Sequence, residues 1–276
     1  MCRFLIFGNG WLGNKFNNYL DDAILVKERI NSIKDIEKQI IKNNPKIVIN
    51  AIGKTGRPNI DWCELHKDET FFSNVTIPTL MEEVCTNTDI YMVHIGSGCI
   101  YQSNNNEIWS ENDKPNFKGS FYSRTKIFSE KILSEYDNVL IIRIRMPIDN
   151  IPSPRNLIDK LVGYEKVIGD IPNSVTYIPD LMTIAKTLMD RKDTGIFNVS
   201  NKGAITYREI LEMYKNIVDP LYELPIFIGL EELKNLIVAG RSNCILNIDK
   251  LSQKGIQVRN TEEALKECFQ EYKRYI

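Results

Sequence analysis

Tyr122 and Lys126 stand four residues apart in FYSRTKIFSEKIL, a stretch whose apolar spacing predicts a helix. That spacing puts phenol and ammonium on one face. A neighbouring cation lowers the phenol's hold on its proton and makes it a better proton donor to a carbonyl oxygen. Ser97 closes the apolar run IYMVHIGS, at the end of a sheet strand where ligands of open parallel sheets collect. Its hydroxyl can polarise the same carbonyl. Cys99 follows in GSGCIY, and simple reduction has no use for it. On composition alone it reads as a small buried residue; beside a held carbonyl, its thiol is a base within reach of neutral pH.

A reduction needs a hydride source, and the N-terminus supplies a place for one. Gly8, Gly10 and Gly13 in GNGWLG follow the apolar run RFLIF and open a helical pattern. This G-x-G-x-x-G spacing allows a tight turn and lets a pyrophosphate approach backbone N–H groups at a helix N-terminus, with Asn9, Trp11 and Leu12 completing the turn. The next strand, DAILV, ends at Val26 and is followed by Lys27, Glu28 and Arg29. Arg29 would accommodate the 2′-phosphate of NADPH, whereas Glu28 on the ribose would mean NADH; the two cations favour NADPH. Ala51, Gly53 and Lys54, just after KIVIN, are further cofactor contacts.

RFLIFG, AILV, KIVINAIG, IYMVHIGSG and NVLIIRIRM alternate with amphipathic stretches. That pattern predicts an α/β fold, a Rossmann-type doubly wound parallel sheet with helices on both faces. PIDNIPSPRN breaks it with prolines and turn formers. We therefore expect a nucleotide-binding domain over 1–146 and a smaller, discontinuous C-terminal substrate-binding region over 147–276. Within the latter, about 174–200 returns to the sheet as a helix and the strand GIFNVS. TYREILEMYKNIV and TEEALKECFQEYKRYI predict helices after it.

Composition narrows the partner. A chain of 276 residues with 35 Lys plus Arg against 36 Asp plus Glu carries no field to recruit nucleic acid or an acidic membrane surface. Its apolar runs are too short to span a bilayer, and its N-terminus lacks the pattern of a leader. The six cysteines form no CxxC pair and share the chain with two histidines, His66 and His94, so neither a metal site nor a disulfide framework is expected. A cytoplasmic enzyme for a small molecule is the expectation. His94, inside an apolar strand, reads as a core histidine with satisfied hydrogen bonds; Cys63 and His66 read as structural.

With these motifs assembled, the chain resembles the extended short-chain dehydrogenase/reductases that act on nucleotide sugars. KTGRPNIDWCE (54–64), PNFKGSFYSRTK (115–126), RIRMPI (143–148), PRN (154–156), DIPNSVT (170–176) and RSN (241–243) are similar to the plant and viral nucleotide-rhamnose synthase/epimerase-reductases. The resemblance implies a bifunctional enzyme that turns UDP-4-keto-6-deoxyglucose into UDP-rhamnose. A 4-keto group acidifies the hydrogens on carbons 3 and 5, so inverting those centres needs two proton-transfer groups. GDP-fucose synthase, a related epimerase-reductase, has a similar S-x-C and pairs its cysteine with a histidine. Here the corresponding region, LVGYEKVIGDIP, has none, and the resemblance points to Lys166, with Lys160 as the fallback. It also implies that Asn74 steadies the site and that Arg155 and Asn156 open the substrate region. Arg241 is the better candidate for gripping the nucleotide diphosphate, because a guanidinium can do so bidentately. A reductase lacking the epimerase step, similar to dTDP-4-keto-rhamnose reductase, and a non-catalytic nucleotide-binding subunit are the competing readings. UDP against dTDP, and monomer against homodimer, stay open.

Overall fold

The computed structural model describes residues 2–104 and 107–276. The chain forms two compact units, one of residues 1–100, 115–143 and 185–197, the other of 101–114, 144–184 and 198–276.

The first unit carries a six-stranded sheet. Its strands are β1 (Phe4–Phe7), β2 (Ala23–Val26), β3 (Ile47–Asn50), β4 (Tyr91–Ser97), β5 (Val139–Ile144) and β6 (Gly195–Asn198), in the spatial order β6-β5-β4-β3-β1-β2. The pairs β1–β2, β1–β3 and β3–β4 are parallel, with Phe7 opposite both Val26 and Asn50. β1, β3 and β5 are buried at every position, as strands covered on both faces must be. Leu5, Phe7, Val48, Met92 and Ile141 pack with Ile36, Ile40, Ile77, Met81 and Leu133 from the helices. All six strands are the segments the sequence periodicity marks.

The helices start and stop where their caps dictate. Ser32 and Asp35 form a capping box at the head of α2 (Ile33–Asn43), and Asn44 ends it in the left-handed conformation at φ 45°. α3 (Ile77–Asn87) follows a π-helical turn over Phe72–Thr76. In α4 (Phe121–Leu133) the Ser120 hydroxyl accepts the Ser123 N–H at 3.0 Å, which fixes where the helix begins and hence where Tyr122 and Lys126 stand.

The second unit is built from three short parallel strand pairs, Lys166–Ile168 with Ile226–Ile228, Pro147–Ile148 with Thr176–Tyr177, and Ile108–Trp109 with Ile245–Leu246. The helices Tyr207–Ile217 and Thr261–Tyr272 supply Ile210, Leu211, Leu265 and Phe269 to its core. No helix among the described residues is long and apolar enough to cross a membrane.

Candidate functional site

The glycine turn lies between β1 and α1 (Trp11–Tyr19). Strand order reverses between β1 and β3, the topological switch point where doubly wound sheets bind ligands. Gly8 adopts φ +109°, and a Cβ there would lie 2.6 Å from the Ala51 carbonyl carbon at the end of β3. A Cβ on Gly13 would come within 1.9 Å of the Gly8 oxygen. Gly10 is the opposite case, since its Cβ would meet nothing within 4 Å. Gly8 and Gly13 therefore close the turn on itself, and Gly10 leaves open space above it. Gly10 is also the N-cap of α1, with no side-chain cap and no acid in the first turn, so the N–H groups of Trp11 and Leu12 are presented to an anion. Asn9 holds the turn from outside by accepting from Asn14 Nδ2 at 3.1 Å. These residues fit a dinucleotide pyrophosphate.

At the end of β2, Lys27, Glu28 and Arg29 are exposed. The Glu28 carboxylate is held below its ordinary range, chiefly by its own backbone N–H and further by Gln39 and Lys42. After β3, Ala51 N–H donates to the Phe7 oxygen at 2.8 Å. Lys54 is fixed through its backbone: its N–H donates to Asn74 Oδ1 at 2.7 Å, and its carbonyl accepts from Asn74 Nδ2 at 3.0 Å. The same Nδ2 reaches Thr125 Oγ1 at 3.1 Å. Asn74, 1% exposed in the π-helical turn, thus pins the loop containing Gly53 and Lys54 to the helix of Tyr122. The Lys54 side chain meets Glu69 at 3.3 Å and lies over the Trp62 ring.

Ser97 ends β4, and its Oγ accepts the Cys99 N–H at 3.1 Å. That bond folds the turn so that both side chains leave the same strand end. Cys99 is partly exposed, whereas the other five cysteines are buried, and none is in a disulfide. Tyr122 and Lys126 occupy the first two turns of α4 in the same unit. Lys126 is 6% exposed. Its Nζ donates to the Ile95 carbonyl at 2.8 Å and stands 3.4 Å from His94 Nε2. Burial pulls its pKa down to about 8, against the opposing pull of Glu130 and Cys99. His94 reads in the sequence as a core histidine; it is buried, and its neighbour is this lysine. The available signal was a histidine in one apolar strand and an asparagine in the next, Asn50 and His94 being register partners.

The remaining candidates belong to the second unit. Lys166 begins a short strand, its side chain 43% exposed and its Nζ 2.8 Å from Glu232 Oε1. Lys160 is half-buried, and burial followed by Arg155 holds its pKa below the ordinary lysine value. Asn156 is fully buried as the N-cap of the helix Leu157–Val162; its Nδ2 donates to the Asp149 and Ile151 carbonyls and its Oδ1 accepts from Asp149 and Ile158 N–H groups. Its amide is thus wholly engaged in shaping the loop that presents Arg155. Arg241 is half-buried and donates to the Ala239 carbonyl at 2.6 Å. Among the described residues no group of three or more His, Cys, Asp or Glu side chains could hold a metal ion.

Comparison with known proteins adds four findings. A family model described as the RmlD substrate binding domain matches residues 8–274. A trifunctional UDP-glucose 4,6-dehydratase/UDP-4-keto-6-deoxy-D-glucose 3,5-epimerase/UDP-4-keto-L-rhamnose-reductase of Arabidopsis thaliana is 39% identical over 99% of this chain, which spans only 42% of that relative's length. A bifunctional dTDP-4-dehydrorhamnose 3,5-epimerase/dTDP-4-dehydrorhamnose reductase of the same plant is 38% identical over 95% of this chain and 91% of its own. The crystal structure of the L780 UDP-rhamnose synthase from Acanthamoeba polyphaga mimivirus superposes with a TM-score of 0.92 at 31% identity, covering 98% of this chain and 99% of that one.

Proposed function

The chain belongs to the RmlD substrate binding domain family, and from that membership we propose that it is a nucleotide-sugar 3,5-epimerase and 4-reductase that converts UDP-4-keto-6-deoxyglucose to UDP-rhamnose with NADPH. The observation that carries the reading is the pairing of two kinds of chemistry in one unit. Tyr122 and a buried Lys126 serve reduction, while the Ser97–Cys99 turn adds a thiol that reduction alone does not need.

Gly8, Asn9, Gly10, Trp11, Leu12 and Gly13 would hold the cofactor's pyrophosphate, with Arg29 on the 2′-phosphate and Ala51, Gly53 and Lys54 along its length. NADPH, when bound, supplies the hydride for carbon 4. Ser97 donates a hydrogen bond to the sugar's carbonyl oxygen, which withdraws electron density from carbons 3, 4 and 5. Cys99 and Lys166 are the two proton-transfer groups of the epimerisation. One takes the proton from the carbon beside the carbonyl, leaving an enolate whose charge rests on the oxygen held by Ser97 and Tyr122. The other returns a proton to the opposite face. Tyr122 then gives its proton to the carbon 4 oxygen in the reduction, and the Lys126 ammonium stabilises the phenolate left behind. Arg155 and Arg241 take the diphosphate. Asn74 and Asn156 act on substrate through the backbone they fix. Cysteines held outside any disulfide suit the reducing cytoplasm.

One observation favours a reductase without the epimerase step, namely that Lys166 Nζ is already paired with Glu232. Proton NMR of the product formed from UDP-4-keto-6-deoxyglucose and NADPH tests the two readings. UDP-rhamnose from the wild-type chain and none from Cys99→Ala supports the bifunctional enzyme. A product that forms only after a separate epimerase is added overturns it. Repeating the assay with the dTDP sugar fixes the nucleotide.

A further inference from the structure

Behind Lys126 lie two buried polar side chains that the reduction described above does not employ. Asn50 at the end of β3 and His94 in β4 are 0% and 1% exposed. The Asn50 Oδ1 accepts the Ile52 N–H at 3.0 Å. This contact fixes the amide, because a flipped amide would aim its NH2 group at another N–H. The Asn50 Nδ2 is therefore the atom 3.1 Å from His94 Nδ1, and it can only donate. A ring nitrogen that accepts carries no proton, so the neutral imidazole holds its proton on Nε2. That Nε2 is the atom 3.4 Å from Lys126 Nζ.

We propose that Ile52, Asn50 and His94 form a positioning relay which locks His94 as its Nε2–H tautomer and thereby weakens the hold of Lys126 on its proton. The inference rests on the reading of Lys126 as the cation of the reductase site. A neutral amine at Nζ has a lone pair for the Nε2–H and still donates to the Ile95 carbonyl at 2.8 Å. An ammonium has only N–H groups, and one of them faces another N–H. The ring therefore favours the amine. Of the other groups facing Lys126, Glu130 on α4 favours the ammonium but is itself bound by Arg143 from β5. Cys99, beyond β4, acts in the same direction as Glu130. His94 stays neutral because burial, and then Lys126, oppose a second charge there. His94 is a positioning residue, since it touches neither sugar nor cofactor in this scheme and acts through Lys126.

The tautomer can be read without substrate. The chain has two histidines, so nitrogen-15 histidine labelling gives two rings, and His66→Gln assigns them. His94 should show a protonated Nε2 and a bare Nδ1 from about pH 6 to 9, without titrating. An Nδ1–H ring or an imidazolium in that range overturns the proposal. The consequence for Lys126 is read with carbon-13 lysine labelling, in which the resonance lost in Lys126→Met is assigned to Lys126. His94→Gln can turn a carbonyl oxygen toward Nζ, so the Lys126 midpoint should rise by about one pH unit, and the alkaline limb of kcat/KM with it. An unmoved midpoint leaves His94 as packing and overturns the relay. Should both resonances behave as expected in a protein that reduces no 4-keto sugar, the relay stands and the reductase reading falls.

Discussion

Arg143 and Glu130 form a bidentate ion pair inside the first unit, with Nε 2.7 Å from Oε2 and Nη2 2.8 Å from Oε1, their side chains 1% and 7% exposed. The pair ties β5 to α4 one turn beyond Lys126. Its geometry satisfies the carboxylate's two oxygens, the condition under which a buried pair is tolerated. Arg143→Met strands the Glu130 charge and should cost about 3–5 kcal/mol in urea unfolding. Adding Glu130→Leu should recover much of that loss, since two apolar side chains of similar volume replace the pair. A double variant as unstable as the single one would contradict this account.

The glycine turn makes two opposite predictions. Gly13→Ala drives a Cβ into the Gly8 carbonyl and should lower the thermal midpoint as well as NADPH affinity. Gly10→Val puts its side chain into space that no protein atom occupies, so the ligand-free midpoint should hold while NADPH binding weakens at least tenfold. Calorimetric titration beside a thermal melt separates the two.

Arg29 should decide between the two nicotinamide cofactors. A guanidinium at the end of β2 gives charge-assisted hydrogen bonds to a 2′-phosphate and little to a bare ribose. Arg29→Ala should therefore weaken NADPH about tenfold or more and leave NADH nearly unchanged, as measured by fluorescence titration with each. Equal losses would place the arginine elsewhere than at the 2′-phosphate.

Lys126 links activity to stability with a definite sign. Burial lowers its pKa from 10.5 to about 8, so between those values the unfolded chain binds more protons than the folded one. Stability contributed at this site accordingly rises with pH across that window, and the buried ammonium is a liability below it. Lys126→Met should melt higher than wild type at pH 7, by an amount that shrinks as pH rises from about 8 to 10.5. Its reductase rate should fall about a hundredfold. A variant that melts lower than wild type at pH 7 would contradict the sign.

The sheet and half of the site are legible in the sequence because both depend on local pattern. Strand periodicity marks all six strands, and G-x-G-x-x-G and Y-x-x-x-K each fall within a single turn or helix. What lies outside the pattern depends on register and on distant chain. Asn50 meets His94 only because β3 and β4 pair in that register. Asn74 joins Lys54 to Thr125 from a π-helical turn that no propensity announces. Glu232, far along the chain, is the partner of Lys166. Asn156 reads as a substrate-region residue, and that its amide also caps the helix Leu157–Val162 is not visible in the sequence, since the same amide suits both tasks.

Hydrogen exchange at the sugar ring separates a bifunctional enzyme from a reductase. UDP-4-keto-6-deoxyglucose is incubated with the protein in heavy water before any NADPH is added, and the carbon 3 and carbon 5 proton signals are followed by NMR. Both should disappear with the wild-type chain and neither with Cys99→Ala, and NADPH should then yield UDP-rhamnose from the wild-type reaction. Signals that persist in the presence of the wild-type chain would contradict the bifunctional reading and leave Cys99 a structural thiol at the end of β4.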